Sequence, residues 1–224
     1  MKLFLCGGGA GEQTREARRR LNGVIDHACP CLYIPLAMEP DCYEGCQTWI
    51  AGELQDVDIP AIDMVRSADA LAAQRLADYS FVFIGGGNTF RLLHVLRASG
   101  TLALLEAYLA QGGVVFGGSA GAILFGASLD VCALDDANDV GLTDMRGLDC
   151  LGGASLLCHY PNPTCEADAR TQQLLALSYH HRIIALPEEV TLYTDGRRLE
   201  PISDRPYFRF ENGRITAQSA AGSI

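Results

Sequence analysis

No apolar run in the chain approaches the roughly 18–20 residues that a membrane-spanning helix needs. The opening MKLFLCGGG reaches three glycines after a handful of apolar residues, too few for a signal-peptide core. It therefore reads as a first β-strand, and a cytoplasmic protein with no membrane partner is expected. Positive charge is also scarce: 17 Lys and Arg stand against 27 Asp and Glu, for a net charge of −10. Such a balance offers no basic surface for the phosphates of a nucleic acid. No G-K-[ST] follows any glycine run, and GGGNTF is not G-x-G-x-x-G, so neither nucleotide-binding fingerprint is met. Metal-binding spacings are missing too. Cys29 and Cys31, and Cys42 and Cys46, lack the two-residue knuckle of a zinc site, and no histidine pattern completes them. No metal is expected. The 9 cysteines, an odd number without an export signal, predict free thiols.

What is present is a glycine-rich globular composition. The 224 residues are 49% hydrophobic, with 24 glycines, and no repeat or linker divides them, so a single domain over 1–224 is expected. Strand and helix patterns alternate. KLFLC, CLYIPL, AIDMV, FVFIGGG and VVF read as strands. Residues 12–28, 42–54, 68–79, 88–100 and 102–113 read as helices. Such alternation implies a parallel sheet with helices on both faces, a three-layer α/β sandwich. The tail differs. RIIALP is a strand, and TLYTDGRRLE and YFRFENGRIT each carry a hairpin signal, Asp195-Gly196 and Asn212-Gly213, so a C-terminal antiparallel extension is expected.

Ligands of open α/β sheets bind beyond the carboxyl ends of the strands. Two glycine-rich strand ends lie there, Ile84–Thr89 and Phe116–Ala122. The second reads Gly117-x-Ser119-x-Gly121, a spacing that suits a serine on a sharp strand-to-helix turn with its hydroxyl lifted into the cleft. That turn would also aim the Ala120 N–H at a developing oxyanion, with the Gly87 N–H as second donor. The serine needs a base. Of the 5 histidines, His27 and His94 fall on helices, and His180 and His181 look like a helix end. His159 ends the apolar run LLCHYP, where a strand would deliver it to the active edge of the sheet. Two acids could orient it: Asp139 in DANDVGL or Glu188 in ALPEEV, with Glu189 beside it.

Read in order, FIGGGNTFRLL, GGSAGA, NDVGL, LCHYP and IIALPE resemble the peptidase E family, which includes aspartyl dipeptidase and the cyanophycinases. The resemblance covers most of 81–188. It implies a fold similar to class I glutamine amidotransferases, with Ser119 as nucleophile, His159 as base, and Gly87 and Ala120 as oxyanion donors. The family acid maps to Asp139 or Glu188. Glu188 is favoured as the orienting acid, and Asp139 as polar support or a substrate contact. Asn88 and Arg170 are the candidate substrate-binding residues. The chain departs from aspartyl dipeptidase after the nucleophile: 122–143 holds no Lys or Arg and carries Asp130, Asp135, Asp136 and Asp139. A pocket so lined would repel an acidic side chain. The implied activity is cleavage of short peptides by a cofactor-free serine exopeptidase, a monomer or homodimer, without the Asp-X preference. An esterase or amidase on another acyl group, or a non-catalytic small-molecule-binding relative, would keep the same turn.

Overall fold

The structure is a computed structural model and describes residues 1–161 and 168–219. The first half alternates as β1 (Lys2–Cys6), α1 (Arg15–Asn22), β2 (Cys31–Ile34), α2 (Tyr43–Glu53), β3 (Ile62–Met64), α3 (Ala68–Ala72), β4 (Phe81–Ile84), α4 (Thr89–Ala98), α5 (Thr101–Ala110), β5 (Val114–Gly118) and α6 (Ala120–Ile123). The second half holds β6 (Ala154–Leu157), α7 (Ala169–Leu177), β7 (Arg182–Ala185), β8 (Thr191–Thr194), β9 (Leu199–Pro201), β10 (Tyr207–Glu211) and β11 (Arg214–Gln218). A seven-stranded sheet has the order β3-β2-β4-β5-β1-β8-β9, and a four-stranded sheet the order β11-β10-β7-β6.

In the larger sheet β3, β2, β4, β5 and β1 run parallel, while β8 and β9 are antiparallel. The expected antiparallel extension is thus divided. The hairpin β8–β9 joins the free edge of β1, whereas β10–β11 pairs with β7 in the second sheet. Strand β6, expected at the active edge of one sheet, belongs to that second sheet and runs parallel to β7. Both sheets are therefore mixed or split where alternation alone implied one parallel layer.

Side chains alternate across the larger sheet as the pleat requires. Leu3, Leu5, Leu32, Ile34, Val82, Ile84 and Val115 pack with α3, α4, α5 and α6. Phe4, Cys31, Tyr33, Phe81, Phe83 and Phe116 pack with α1 and α2. The pairing register sets Tyr33, Phe83, Phe116 and Phe4 side by side on neighbouring strands, and Tyr193 of β8 continues the row. Phe83 and Phe116 stack with centroids 4.9 Å apart.

Two helices are shorter than their patterns suggested. A 3-10 turn, Gly11–Thr14, precedes α1, which closes at Gly23 rather than running to Ala28. Over 68–79 only Leu71 and Leu76 are core residues. Five residues apart they cannot share one helical face, so α3 stops at Ala72 and a 3-10 turn carries Leu76. Asn88 caps α4 as its position predicts, its side chain accepting from the Arg91 N–H at 2.9 Å. No single helix among the described residues is long and apolar enough to cross a membrane. Helices α4 and α5 pass on length and composition together but meet at 92°, and both bury leucines in the core.

Backbone packs closely against backbone where β5 turns into α6. A Cβ at Gly117 would overlap the Gly121 carbonyl, and one at Gly121 would overlap the Ile84 carbonyl. Backbone cannot yield as a flexible side chain can. Gly121→Ala is expected to cost about 3 kcal/mol, a Tm fall of about 6–12 °C in thermal unfolding. Gly52→Ala, where a Cβ in α2 meets nothing, is the control, expected to gain about 0.5 kcal/mol.

Candidate active site

Ser119 sits between β5 and α6 with φ 51° and ψ −115°, a region that side chains with a Cβ rarely enter. Neighbours hold it there. Its N–H donates to the Cys6 carbonyl at 3.1 Å, and its own carbonyl accepts from the N–H groups of Ala122 and Ile123 at 2.8 and 2.9 Å. Its Oγ lies 2.8 Å from Nε2 of His159. His159 follows β6 and is also left-handed, at φ 54°. Its N–H donates to the Gly7 carbonyl at 2.8 Å. Nδ1 of its ring lies 3.1 Å from Oε1 of Glu188, which follows β7. With the proton on Nδ1, the ring donates to Glu188 and leaves Nε2 to accept from the serine hydroxyl; this tautomer is assigned from the hydrogen-bond pattern. Both side chains lie open to solvent, His159 at 44% and Glu188 at 54% exposure.

Beside the serine runs the end of β4. A Cβ at Gly86 would come 3.2 Å from the Ser119 Cβ and 3.7 Å from its Oγ, so the chain at Gly86 runs alongside the serine side chain. Gly87 takes φ 133°, and a Cβ there would press on the Ala37 carbonyl. Its N–H makes no backbone hydrogen bond among the described residues. The Ala120 N–H opens α6 and has no intrahelical acceptor.

The other expected residues are placed as follows. Asp139 is exposed and makes no hydrogen bond or ion pair among the described residues, so the structure brings Glu188 rather than Asp139 to His159. Asn88 uses both ends of its amide locally: besides capping α4, its Nδ2 donates to the Ala137 carbonyl at 2.8 Å. Arg170, on α7, donates to the carbonyls of His159 and Cys158 at 3.3 and 3.4 Å and to Asp135 at 2.5 Å. Asn88 and Arg170 thus tie chain segments together. The acidic loop is also absorbed. Asp135 pairs with Arg170, and Asp136 accepts from the Thr89 N–H at 2.8 Å. The expectation that these aspartates line the pocket is corrected: among the described residues Asp135 and Asp136 serve a guanidinium and a helix start, Asp130 accepts from the Ser128 hydroxyl at 2.6 Å, and Asp139 stands exposed away from the cleft.

Reading the sequence missed two contributors. A Cβ at Gly8 (φ 118°) would overlap the His159 ring, and one at Gly9 would reach 2.5 Å from the Glu188 carbonyl. The signal was present as the three glycines after KLFLC, read only as a strand end. The second is the cleft itself. It encloses about 650 Å3 beside Ser119 and His159, with Tyr33, Phe83 and Phe116 below, Trp49 and Met38 at its sides, and Asp41 and Glu53 as its acids. Glu53 is spoken for: it accepts from Arg18 at 2.7 Å, from the Gly11 N–H at 2.8 Å and from Thr14. Cys6 and Cys158 lie behind the serine, where burial pushes their thiols up and so disfavours the thiolate.

Fold and site together have the form of a hydrolytic enzyme. The family model for peptidase family S51 matches residues 3–202, and the chain belongs to this family, the peptidase E family. It is 30% identical over 183 residues to peptidase E of Citrobacter koseri, covering 73% of this chain and 77% of that one. Peptidase E of Shewanella denitrificans is 28% identical over 200 residues, covering 86% and 82%. Among solved structures, a Listeria monocytogenes protein described as peptidase E superposes with a TM-score of 0.69 at 20% identity, covering 89% of this chain and 96% of that one. A peptidase from an acI-B1 actinobacterium gives 0.69 at 14% identity, covering 100% and 96%. These last two show likeness of fold.

Burial holds the Asp135 carboxyl above its ordinary range, with Arg170 pulling it back down. A carboxyl raised in the folded state costs stability while ionised, and that cost vanishes as pH falls through its raised value. Arg170→Met removes the pull and three hydrogen bonds. The variant is expected to lose about 1–3 kcal/mol at pH 7, with a deficit that shrinks on acidification through the carboxylate range. Denaturant titrations of both proteins across that range check it.

Proposed function

We propose that this peptidase is a serine exopeptidase of dipeptidase type that hydrolyses short peptides through an acyl-enzyme at Ser119. The observation that carries the reading is the continuous row Ser119 Oγ, His159 Nε2 at 2.8 Å, and His159 Nδ1 to Glu188 at 3.1 Å. His159 takes the serine proton as Oγ attacks the scissile carbonyl. Glu188 steadies the imidazolium that forms. The N–H groups of Ala120 and Gly87 meet the charge that develops on the carbonyl oxygen. The leaving amine takes the proton from His159, and a water, activated by the same imidazole, then releases the acyl group. The steps need no metal or organic cofactor. A cleft of about 650 Å3 supports small substrates, since it admits only a few residues. Helices on both faces of five parallel strands support the finer fold reading, a three-layer sandwich of the class I glutamine amidotransferase kind.

Dipeptide hydrolysis by single variants tests this. Ser119→Ala is expected to lower kcat by at least about 10⁴-fold, and Glu188→Gln by about 10²–10⁴-fold. Asp139→Asn should stay within about twofold, as for an exposed residue without partners. Comparable mild losses at all three positions, or turnover surviving in Ser119→Ala, would overturn the mechanism.

A further inference from the structure

Resting on the peptidase reading, we propose that the enzyme selects short peptides with an aromatic or large aliphatic side chain next to the scissile bond, and discriminates against acidic ones. The cleft beside Ser119 is the pocket for that side chain.

The pocket follows from the register of the sheet. Tyr33, Phe83 and Phe116 stand level on β2, β4 and β5 and point to the α2 face. Two residues on, where the pleat returns to that face, the chain has Gly85 after Phe83 and Gly118 after Phe116. A Cβ at Gly85 would run into the Tyr33 phenol, at 2.8 Å, whereas one at Gly118 would meet only the edge of the Phe83 ring, at 3.9 Å. The open level above the rings is therefore the one over Gly118, and the next residue of β5's turn is Ser119. The space above the aromatic floor opens onto the serine hydroxyl.

The rings are arranged to receive another. Phe83 lies parallel to Phe116 at 4.9 Å, while Tyr33 and Trp49 meet Phe83 edge-on at 5.8 and 5.9 Å. Stacked and edge-to-face partners are the arrangements aromatic groups favour. Trp49 is 43% exposed, one of only two large hydrophobic side chains so open among the described residues. A substrate side chain entering beside it would cover an apolar surface that the fold leaves wet.

Charge excludes the alternative. Among the described residues no Lys or Arg lines the cleft, and the carboxylates that line it are Asp41 and Glu53. Arg18 already pairs with Glu53, whereas Asp41 has, among the described residues, only the Cys42 thiol as partner, at 3.5 Å. A substrate aspartate would enter an apolar space with carboxylates and no cation to answer it.

The test compares Phe-Gly, Gly-Phe, Asp-Gly, Gly-Asp and Gly-Gly as substrates of the wild-type protein. The expected result is a kcat/KM for one of the Phe dipeptides about 10–100-fold above Gly-Gly, with both Asp dipeptides at or below Gly-Gly. Trp49→Ala should narrow the Phe-to-Gly ratio about tenfold. The chain has a single tryptophan, so the fluorescence of Trp49 in Ser119→Ala reads occupancy without turnover. Phe-Gly or Gly-Phe should give a saturable change and the Asp dipeptides none. Serine-dependent cleavage that favours Asp, or is indifferent to the side chain, overturns the pocket and leaves the peptidase reading standing. Absent cleavage with a saturable response to Phe alone upholds the pocket and sinks the peptidase reading. Absent cleavage with no response overturns both.

Discussion

Every reacting side chain is set against one short stretch of backbone. The end of β1 and the glycines after it receive Ser119 on the Cys6 carbonyl and His159 on the Gly7 carbonyl, and the Gly9 N–H holds the Glu188 carbonyl at 2.9 Å. Three residues far apart in sequence are thereby registered to neighbouring peptide units. The pairing of β1 with both of its neighbours, and the Gly7 N–H donating to the Val190 carbonyl at 2.9 Å, hold this stretch in one conformation, and that conformation sets the spacing between the three anchors. The glycines are required for this. A Cβ at Gly7 would overlap the Pro187 carbonyl, and one at Gly8 would overlap the imidazole. The ledge works because it has no side chains.

The same economy explains the strain. Ser119 and His159 both hold φ near +50°, at a cost of order 1–3 kcal/mol each. Each is over-determined by its surroundings. Ser119 is gripped at both ends of its peptide by β1 and α6, and α6 can close so tightly only over Gly117 and Gly121. The His159 carbonyl accepts from Arg170 while its N–H is held by Gly7. Arg170 in turn draws on Asp135. The acidic loop thus enters the site indirectly, by holding the guanidinium that holds the histidine backbone.

Local residues announced much of this and hid the rest for definite reasons. The Gly-x-Ser-x-Gly turn, the Asn88 cap and the two Gly-containing hairpins were legible because each depends on chemistry within a few positions. Asn212 and Gly213, for example, both take the positive φ their turn requires. Glu188 was favoured over Asp139 through the family resemblance alone; local residues left the choice open, because it depends on β6 and β7 being parallel neighbours with Leu157 opposite Ala185. That pairing releases His159 and Glu188 from adjacent strand ends. The division into two sheets was equally hidden: β6 and β7 carry the same apolar runs as strands of the larger sheet, and composition says nothing about which edge a strand joins. The aromatic floor is a property of register alone, since Tyr33, Phe83 and Phe116 are spread over more than eighty residues of sequence.

The site is therefore a seam. Its serine comes from the seven-stranded sheet, and its histidine and glutamate from the four-stranded one. Such a seam keeps hydrogen-bond geometry only if the sheets cannot slide. Leu156, Cys158, Ile184 and Leu186, from the β6 and β7 segments, share one buried cluster with Leu5, Ile84 and Val115 of the larger sheet. The Cys158 thiol points at the carbonyls of Cys6 and Ser119, at 3.6 and 3.7 Å. A close-packed interior of this kind resists displacement much as a crystal does. That resistance is what lets His159 and Glu188 remain half exposed without losing alignment. Solvent screens the charge between them, yet their positions are fixed from beneath by apolar packing and backbone bonds that solvent does not reach. In this fold the orientation of the catalytic groups is a property of the core, and their reactivity a property of the open edge above it.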